Sequence, residues 1–462
     1  MSQVEQQVKR AKQAQREYER SDQSHVDETV TAVAWALLQP ERNRELSLLA
    51  VETTGLGKAE DKILKNERKT LGLLRDLRAA KTVGVISRDP ERGITEIARP
   101  VGVVGAVVPS TNPLATPLNN TINALKGLNS IILAPSPSGE TVCSRLLEYI
   151  HAELRRVDAP VHLVQKLSPP VDRSATKELM ERVDLVVVTG SQSNVSAAYS
   201  SGTPAIGVGV GNATVIVDES AGLEDAAKRI MLSKTFDHAT SCSSENAVII
   251  LDKVRCPMLN ALVRQGGALL DADEKKRIQV ALWQQGRLNR GMLARSPEVL
   301  CELSGLERKE LRESDFMMVE EEGVGPEYPF SGEKLSPLLA VYGAADFEEA
   351  MNTAERLLNH QGKGHSIGLH TGHPERALEL GERLPVCRVI VNQPHCFATG
   401  GSFENGLPFS LSMGCGSWGG NSIDDNLNYR HFLNITRIAM PISTNAVDME
   451  EMFSEYRARH GL

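Results

Sequence analysis

The spacing of apolar residues changes along the chain, and each change predicts a different kind of element. Over residues 1–80 the apolar residues recur three to four positions apart, which predicts amphipathic helices, with Gly55 and Gly57 breaking the run. The segment KTVGVISRDPERGITEIARP, residues 81–100, then shows two β-prone runs around an Asp-Pro-Glu-Arg-Gly turn. This pattern predicts a β-hairpin near 82–99.

Strands and helices alternate regularly after the hairpin, which is typical of βαβ units around a parallel sheet. Such sheets bind ligands beyond the carboxyl ends of their strands, so we expect ligand contacts in the loops at 109–112, 135–139 and 189–193. The predicted strands are 101–109, 130–136, 160–167 and 184–190, and the predicted helices are 116–129, 139–157 and 174–183.

A second alternation begins near residue 246 and predicts a second α/β domain. Its predicted strands are 246–252, 338–344, 365–371 and 387–393, and its predicted helices are 257–267 and 347–360. A β-prone run at 428–442 and a short charged helix follow. The pattern therefore predicts two α/β domains with β arms at both ends of the ordered sequence.

Composition narrows the classes of function. At 462 residues, with 41% hydrophobic and 24% charged residues, the chain has the make-up of an ordinary soluble globular protein. A net charge of −8 and only 4% aromatic residues argue against a nucleic-acid partner. No run of about 18 apolar residues occurs, so we expect no membrane span. The seven scattered cysteines lack CxxC spacing, which favours reduced thiols in the cytoplasm over disulfides or a metal site.

Three local features allow both a chemical and a structural interpretation. Cys242, in KTFDHATSCSSENAVII, is either a nucleophile or one of the small buried residues that free cysteines usually are. Asn112 follows a predicted buried strand and precedes proline, which suits either a turn or an amide donor to an oxyanion. The glycines of GVGVGN, residues 207–212, serve either a phosphate or tight turns. Cys415, in MGCGSWGGNS, has no base or cation near it in sequence.

Several segments taken together carry a family resemblance. PSTNPLATP, LKGLNSIILAPSPSG, AAYSSGTPAIGVGVGNATVIVDESA, SKTFDHATSCSSE, EKLSPLLAVY, GKGHSIGLHT and FSLSMGCGSWGGNSI occur in the order and spacing of the aldehyde dehydrogenase superfamily. The chain resembles its CoA-acylating branch from about residue 45 to residue 440. The resemblance implies an α/β aldehyde dehydrogenase fold with a Rossmann-like cofactor domain, a catalytic α/β domain and β oligomerisation arms.

The resemblance also implies boundaries and assembly. The implied divisions are 1–81 for N-terminal helices that belong to the cofactor domain, 82–100 for an oligomerisation hairpin, 101–238 for the cofactor domain, 239–425 for the catalytic domain and 426–462 for a C-terminal oligomerisation strand and tail. In the family the hairpin and the strand near 432–441 join protomers, which implies a homodimer or homotetramer.

Residue roles follow from the resemblance position by position. Cys242 matches the catalytic thiol, and Asn112 matches the asparagine that shares the oxyanion hole with the Cys242 N–H. The thiolate attacks the aldehyde, hydride passes to the nicotinamide, and CoA releases the resulting thioester as acyl-CoA. The implied cofactor-binding residues are Thr111, Ser136, Ser138, Thr189, Gly190, Ser191, Gly207, Gly209, Glu333 and Leu335.

Departures from the family pattern indicate the acyl acceptor and the cofactor. Hydrolytic members of the family carry a glutamate, the general base that activates water, at the position that corresponds to Gly207. The missing carboxylate favours CoA over water as the acyl acceptor, because a thiol needs less activation than water. His365 matches a histidine of the acylating branch and either assists CoA or is structural. Ala134 and Pro137 replace the residues that read the adenosine ribose, so either NAD or NADP is expected, with NADP slightly favoured.

The residues around Cys242 bear on the aldehyde. A hydroxyl-rich pocket with histidines suits a polar or anionic aldehyde, and the ensemble resembles the acylating sulfoacetaldehyde dehydrogenases. The alternatives are that the hydroxyls cap the following helix, that acetaldehyde or propionaldehyde is the substrate, that the enzyme is non-acylating, or that the fold is non-catalytic. The expected pocket residues are His238, Thr240, Ser241, Ser243 and His395.

Overall fold

Two parallel β-sheets, each covered by helices on both faces, form the body of the protein. We describe residues 1–169 and 171–462 from a computed structural model. The helices are α1 Gln3–Tyr18, α2 Gln23–Leu38, α3 Pro40–Thr54, α4 Ala59–Leu77, α5 Ala115–Lys126, α6 Glu140–Arg156, α7 Arg173–Arg182, α8 Gln192–Tyr199, α9 Leu223–Thr235, α10 Arg255–Arg264, α11 Ala272–Leu282, α12 Pro297–Ser304, α13 Lys309–Arg312, α14 Phe347–His360, α15 Glu375–Arg383, α16 His395–Ala398 and α17 Met449–His460.

The strands belong to four sheets. They are β1 Gly84–Asp89, β2 Ile94–Pro100, β3 Val103–Val108, β4 Ser130–Pro135, β5 Val164–Lys166, β6 Leu185–Thr189, β7 Ala205–Val208, β8 Thr214–Val217, β9 Ala247–Leu251, β10 Gly267–Leu269, β11 Trp283–Gln284, β12 Arg287–Leu288, β13 Phe316–Glu320, β14 Leu338–Ala344, β15 Ile367–His370, β16 Val389–Val391 and β17 Leu433–Ala439.

The first sheet is parallel and has the order β5-β4-β3-β6-β7. All of β3 and β4 is buried, because helices α2, α5 and α6 cover one face of the sheet and α1, α7 and α8 cover the other. Burial on both faces explains why these strands read as continuous apolar runs. The carboxyl ends of β3, β4 and β6 meet at one edge, which brings together the three loops that were expected to bind ligands.

The second sheet is also parallel and has the order β10-β13-β14-β9-β8-β15-β16. Strand β8 lies between β9 and β15, so the chain crosses from the first sheet to the second between Val208 and Thr214. The predicted division at 238/239 therefore lies well beyond the crossing. The physical reason is that β8 and the apolar residues of α9 pack in the core of the second sheet rather than the first.

A small antiparallel sheet stands apart from the two cores. Strands β1 and β2 form the predicted hairpin, and β17 pairs with β2 from Leu433 to Ala439. Apolar side chains on this sheet and just after it are exposed, and no residue of α17 is buried. The role of this sheet in joining protomers remains a prediction. Within the described ranges, no helix is long and apolar enough to cross a membrane.

Candidate active site

The segment that leads to Cys242 has an unusual backbone. Asp237, His238 and Ala239 all have left-handed conformations, with φ of 51°, 49° and 59°. Residues with a Cβ rarely adopt this region, so three in succession need support from the surrounding structure. A 3₁₀ turn over these residues carries the chain from the end of α9 to the half-buried Cys242.

The buried carboxylate of Asp237 supplies that support. It joins the segment before Cys242 to helix α4, and through Lys65 it reaches the end of β3. Burial opposes ionisation of Asp237, but its two lysine partners outweigh burial and hold its pKa below the ordinary value. Its hydrogen-bond donors are the Lys58 N–H at 2.8 Å, Lys62 Nζ at 3.0 Å, Thr240 Oγ1 at 2.8 Å and Lys65 Nζ.

The thiol of Cys242 lies beside a histidine. Its Sγ is 3.4 Å from Nε2 of His365, within hydrogen-bonding range for sulfur. Burial, followed by the neighbouring Glu333, raises the pKa of Cys242 to about 12. The thiol is therefore protonated at neutral pH in the free protein, and attack on a carbonyl requires a base to remove the proton.

His365 is the nearest such base and belongs to a buried relay. Its Nδ1 is 2.7 Å from Ser366 Oγ, and Ser366 Oγ is 2.8 Å from Nε2 of His395. Burial, followed by Arg388, lowers the pKa of His365 to about 3, and burial does the same for His395. Both rings are neutral at pH 7, and the tautomer with its proton on Nδ1 donates to Ser366 and turns the lone pair of Nε2 towards Cys242. A pKa this low makes His365 a weak base in the free protein, so the geometry rather than the basicity of His365 supports proton transfer.

A lysine orients the side chain of Asn112. Lys65 Nζ donates a 2.8 Å hydrogen bond to Asn112 Oδ1. With its oxygen engaged, the amide presents its N–H groups as donors at the carboxyl end of β3. This is the polarity that an oxyanion requires. Thr111 precedes Asn112 and is half-buried.

The turn at 189–191 has an open backbone. Gly190 has φ of 155°, and, apart from its two chain neighbours, no residue in the described part of the chain has an atom within 4 Å of the position of a Cβ. Thr189 Oγ1 is 2.5 Å from Ser412 Oγ, which ties the end of β6 to the loop that carries Cys415. Ser191 caps α8 by accepting the N–H of Asn194 at 3.4 Å. An open glycine ahead of a helix N-terminus suits a phosphate group.

Two buried polar atoms allow a test of whether a dinucleotide fits the predicted cofactor-binding residues. Ser136 Oγ and Glu333 Oε1 have no hydrogen-bond partner among residues 1–169 and 171–462. Burial raises the pKa of Glu333 to about 8. A protonated carboxyl and an unpaired hydroxyl fit the ribose and phosphate groups of NAD or NADP. Ser138 is exposed beside Ser136, and Leu335 is half-buried with φ of 44°.

An ion pair that the sequence analysis missed lies at the same edge. Lys166 Nζ, at the end of β5, donates a 2.5 Å hydrogen bond to Glu140 Oε1 at the start of α6. This contact with Lys166 holds the pKa of Glu140 below its ordinary value. The segment after Ser136 therefore does contain a carboxylate, that of Glu140, and Lys166 partly neutralises its charge.

The structure does not place Gly207 beside the thiol. Gly207 lies in β7, and a Cβ there would approach Val195 at 2.6 Å and Tyr199 at 3.1 Å. The alternation of side chains along a strand points this position at α8. The glycine that contacts Cys242 is Gly211, where a Cβ would lie 2.4 Å from the Cys242 carbonyl oxygen. Gly211 has no carboxylate either. The position that faces Cys242 therefore also lacks a general base that could activate water. Gly209 lies between them, with the side chain of Gln192 nearby.

The residues predicted to form the aldehyde pocket separate into different environments. Ser241 lines a pocket together with Asn112. Thr240 is bound to Asp237, and His395 belongs to the relay. Ser243 is buried next to the thiol. Burial, followed by Lys58, lowers the pKa of the half-buried His238 to about 4.

The pocket contains cations that the sequence analysis missed. Lys65, Arg68 and Lys69, all on α4, line the pocket together with aromatic residues from other segments. In the sequence these residues belong to KNERK, a charged stretch typical of a solvated helix face. Cys415, by contrast, is buried, and burial raises its pKa to about 12, which supports a structural role.

Comparisons with known proteins identify similar sequences and structures over almost the whole chain. The model for "Aldehyde dehydrogenase family" matches residues 1–282. The chain is 57% identical to "Sulfoacetaldehyde dehydrogenase (acylating)" of Cupriavidus necator over 98% of this chain and 92% of that protein. It is 39% identical to the protein of the same description in Bilophila wadsworthia, over the full length of both. A solved acetylating aldehyde dehydrogenase from Geobacillus thermoglucosidasius superposes with a TM-score of 0.92 at 36% identity, over 96% of this chain and 98% of that one. These likenesses confirm the predicted fold class.

Proposed function

This chain belongs to the aldehyde dehydrogenase family, and we propose that it converts sulfoacetaldehyde, CoA and NAD or NADP to the CoA thioester and the reduced cofactor. The observation that carries the choice of aldehyde is the 57% identity to a sulfoacetaldehyde dehydrogenase over almost the whole of both chains. The ring nitrogen of His365, 3.4 Å from the thiol of Cys242, supports the chemistry. The cationic pocket beside Asn112 supports an anionic substrate.

Cys242 performs the covalent step in this proposal. His365 accepts the thiol proton at Nε2, and the thiolate attacks the carbonyl carbon. The amide of Asn112 and the N–H of Cys242 stabilise the oxyanion of the tetrahedral adduct. A bound nicotinamide supplies the acceptor for the hydride that leaves this carbon. A thioester to Cys242 remains, and His365 releases the first proton to solvent. The thiol of CoA then gives its proton to His365 and attacks the thioester, and the sulfur of Cys242 leaves and takes up that proton.

Two features favour CoA over water as the acyl acceptor. The backbone that faces Cys242 is Gly211, which has no side chain to activate water. Glu333 lies near the thiol, but burial raises its pKa to about 8, so it is mainly protonated at pH 7 and is not a ready base. A thiol with a pKa of about 8.5 needs much less activation than water. Hydrolysis of the thioester is therefore expected to be slow.

The residues proposed to hold the cofactor are those with open or unpaired groups. Thr189, Gly190 and Ser191 would hold the pyrophosphate, and Glu333 would bind the nicotinamide ribose beside Leu335. Ser136 and Ser138 would face the adenosine ribose. The Glu140–Lys166 pair lies beside these serines and supports the use of either cofactor.

We also propose a homodimer or homotetramer that works in the cytoplasm. Exposed apolar residues Ile438, Met440 and Ile442 follow the edge of the small sheet, and α17 is exposed along its whole length. All seven cysteines are free, which suits a reducing compartment. Light scattering of the purified protein tests the assembly, and a monomer at micromolar concentration would contradict it.

Steady-state kinetics test the proposed function. With CoA and NADP or NAD, kcat/KM for sulfoacetaldehyde is expected to exceed kcat/KM for acetaldehyde and propionaldehyde, and omission of CoA is expected to abolish steady turnover. A higher kcat/KM for acetaldehyde would overturn the substrate. Equal rates of cofactor reduction with and without CoA would overturn acylation.

A further inference from the structure

We infer that Arg68 and Lys69 form an anion subsite that binds the sulfonate of the aldehyde, with Arg68 as the specificity-determining residue. The inference rests on the proposed function, because it assigns the charged end of the proposed substrate to a place in the pocket. Asn112 and Ser241 line the pocket, Cys242 follows Ser241 in sequence, and helix α4 contributes the cations.

The pocket has positively charged side chains in its lining and, among the described residues, no carboxylate to balance them. These side chains are Lys65, Arg68 and Lys69. Asp237 lies behind Lys65, but that single carboxylate is shared with Lys62. Arg68 and Lys69 are half-buried, so solvent screens their charge only in part and the pocket favours a ligand that carries negative charge.

The three cations are not equally available. Lys65 is fully used, since it donates to Asn112, Asp237 and Thr240. Lys69 donates to the carbonyl oxygens of Gly400 at 2.7 Å and Gly401 at 3.3 Å, which leaves one of its three N–H groups. Burial lowers the pKa of Lys69 to about 8, so an anion beside it would also restore its full protonation.

Arg68 is the cation with free donors. Its guanidinium makes no hydrogen bond or ion pair with any residue in the described part of the chain. It lies 5.1 Å from the ring centre of Phe397 and 6.0 Å from that of Phe403, and these rings fix its position by cation–π contact. A positioned guanidinium with unused N–H groups matches the oxygens of a sulfonate in the way it matches carboxylates and phosphates.

The position of Arg68 allows the pocket to distinguish an anionic aldehyde from a neutral one. The pocket also contains apolar surface from Phe236, Phe397 and Phe409, which acetaldehyde contacts as well as sulfoacetaldehyde does. Only the sulfonate pairs with Arg68. Loss of Arg68 is therefore expected to affect the anionic aldehyde selectively. A phosphate of CoA is the other anion in the reaction, and its binding at Arg68 would make the loss independent of the aldehyde.

The test compares Arg68→Gln with Arg78→Gln, an equal charge change at the exposed C-terminal end of the same helix. We expect Arg68→Gln to lower kcat/KM for sulfoacetaldehyde about 10- to 100-fold, the range for a charge-assisted hydrogen bond. For acetaldehyde we expect a change within about twofold, with an unaltered KM for CoA, and we expect Arg78→Gln to match the wild type. Equal losses with both aldehydes, or a raised KM for CoA, would overturn the inference.

A second measurement separates the subsite from the proposed function. Isethionate, which carries the sulfonate but no aldehyde, is expected to inhibit acetaldehyde oxidation competitively, and Arg68→Gln is expected to raise its inhibition constant about 10-fold or more. If the wild type does not oxidise sulfoacetaldehyde but shows this inhibition, the proposed substrate is wrong and the anion subsite stands. If isethionate inhibits wild type and variant equally, or inhibits neither, the subsite is wrong.

Discussion

Nζ of Lys65 donates a 2.8 Å hydrogen bond to Oδ1 of Asn112, and this contact determines which end of the amide is free. The N–H groups of Asn112 are left to stabilise an oxyanion. We predict that Asn112→Ala lowers kcat about 10²- to 10³-fold, the cost of losing one oxyanion donor. Asn112→Asp, which presents only oxygens to the oxyanion, is expected to be at least as impaired. Activity of Asn112→Ala within threefold of the wild type would contradict this role.

The relay behind His365 predicts a graded series of variants. His365→Ala removes the base that faces Cys242, and general-base catalysis is worth about 10²- to 10⁴-fold. Ser366→Ala keeps His365 but removes its link to His395, so we expect a smaller loss in kcat with little change in KM. Rapid-mixing measurement of cofactor reduction before CoA is added isolates the first half-reaction. A larger loss for Ser366→Ala than for His365→Ala would contradict a positioning role for Ser366.

The buried histidines predict a loss of stability in acid. His365 and His395 have pKa values of about 3 in the folded protein, whereas an unfolded histidine has a pKa of about 6.5. Below pH 6.5 the unfolded chain binds protons that these folded side chains do not bind, so their contribution to stability is complete above pH 6.5 and decreases as the pH falls towards 3. Each histidine contributes a slope of about 1.4 kcal/mol per pH unit in this window.

Denaturant unfolding of the wild type and His395→Gln between pH 7 and pH 5 measures that slope. The variant is expected to be less stable at pH 7, because Ser366 loses its partner. Its stability is nevertheless expected to fall less between the two pH values. An identical pH dependence in both proteins would show that His395 does not titrate in this way.

The contact between Gly211 and Cys242 predicts that a single methyl group disturbs the nucleophile. A Cβ at Gly211 would lie 2.4 Å from the Cys242 carbonyl oxygen and 3.1 Å from its Cβ, so the backbone at the thiol must move. We predict that Gly211→Ala lowers kcat more than about 10-fold, because catalysis is sensitive to shifts of about 1 Å. The control is Gly222→Ala, where the nearest side-chain atom is 4.0 Å away. Equal activity of the two variants would contradict the prediction.

The sequence alone predicted the strands that are marked by a local run of apolar residues. Strands β3, β4, β6, β9 and β14 are apolar on both faces, so their continuous runs identified them within a few residues. Strand β8 was not predicted, because it has only four residues, Thr214–Val217, and follows a glycine-rich segment. Its pairing with β9 and β15 is a tertiary property, so the sequence pattern did not reveal that the chain reaches the second sheet at Thr214. The domain boundary at 238/239 stays a prediction.

The site was predictable only in part, for the same reason. The motifs around Cys242, Asn112 and His365 pointed to residues that the fold brings together. The relay could not be predicted from the sequence, because Ser366 and His395 are 29 residues apart in the chain. The pocket cations could not be predicted either, because Arg68 and Lys69 occupy a stretch with the composition of a solvent-exposed helix face. Only the packing of residues 396–411 against α4 turns that face into the wall of a pocket.

The central claim is that an acyl group passes from Cys242 to CoA. Mass spectrometry of the products from sulfoacetaldehyde, CoA and NADP or NAD tests it directly, with Cys242→Ala as the control. We predict that the wild type forms sulfoacetyl-CoA and reduced cofactor in equal amounts, and that the control forms neither while still binding the cofactor. Free sulfoacetate formed at the same rate with and without CoA, or sulfoacetyl-CoA formed by Cys242→Ala, would contradict the account.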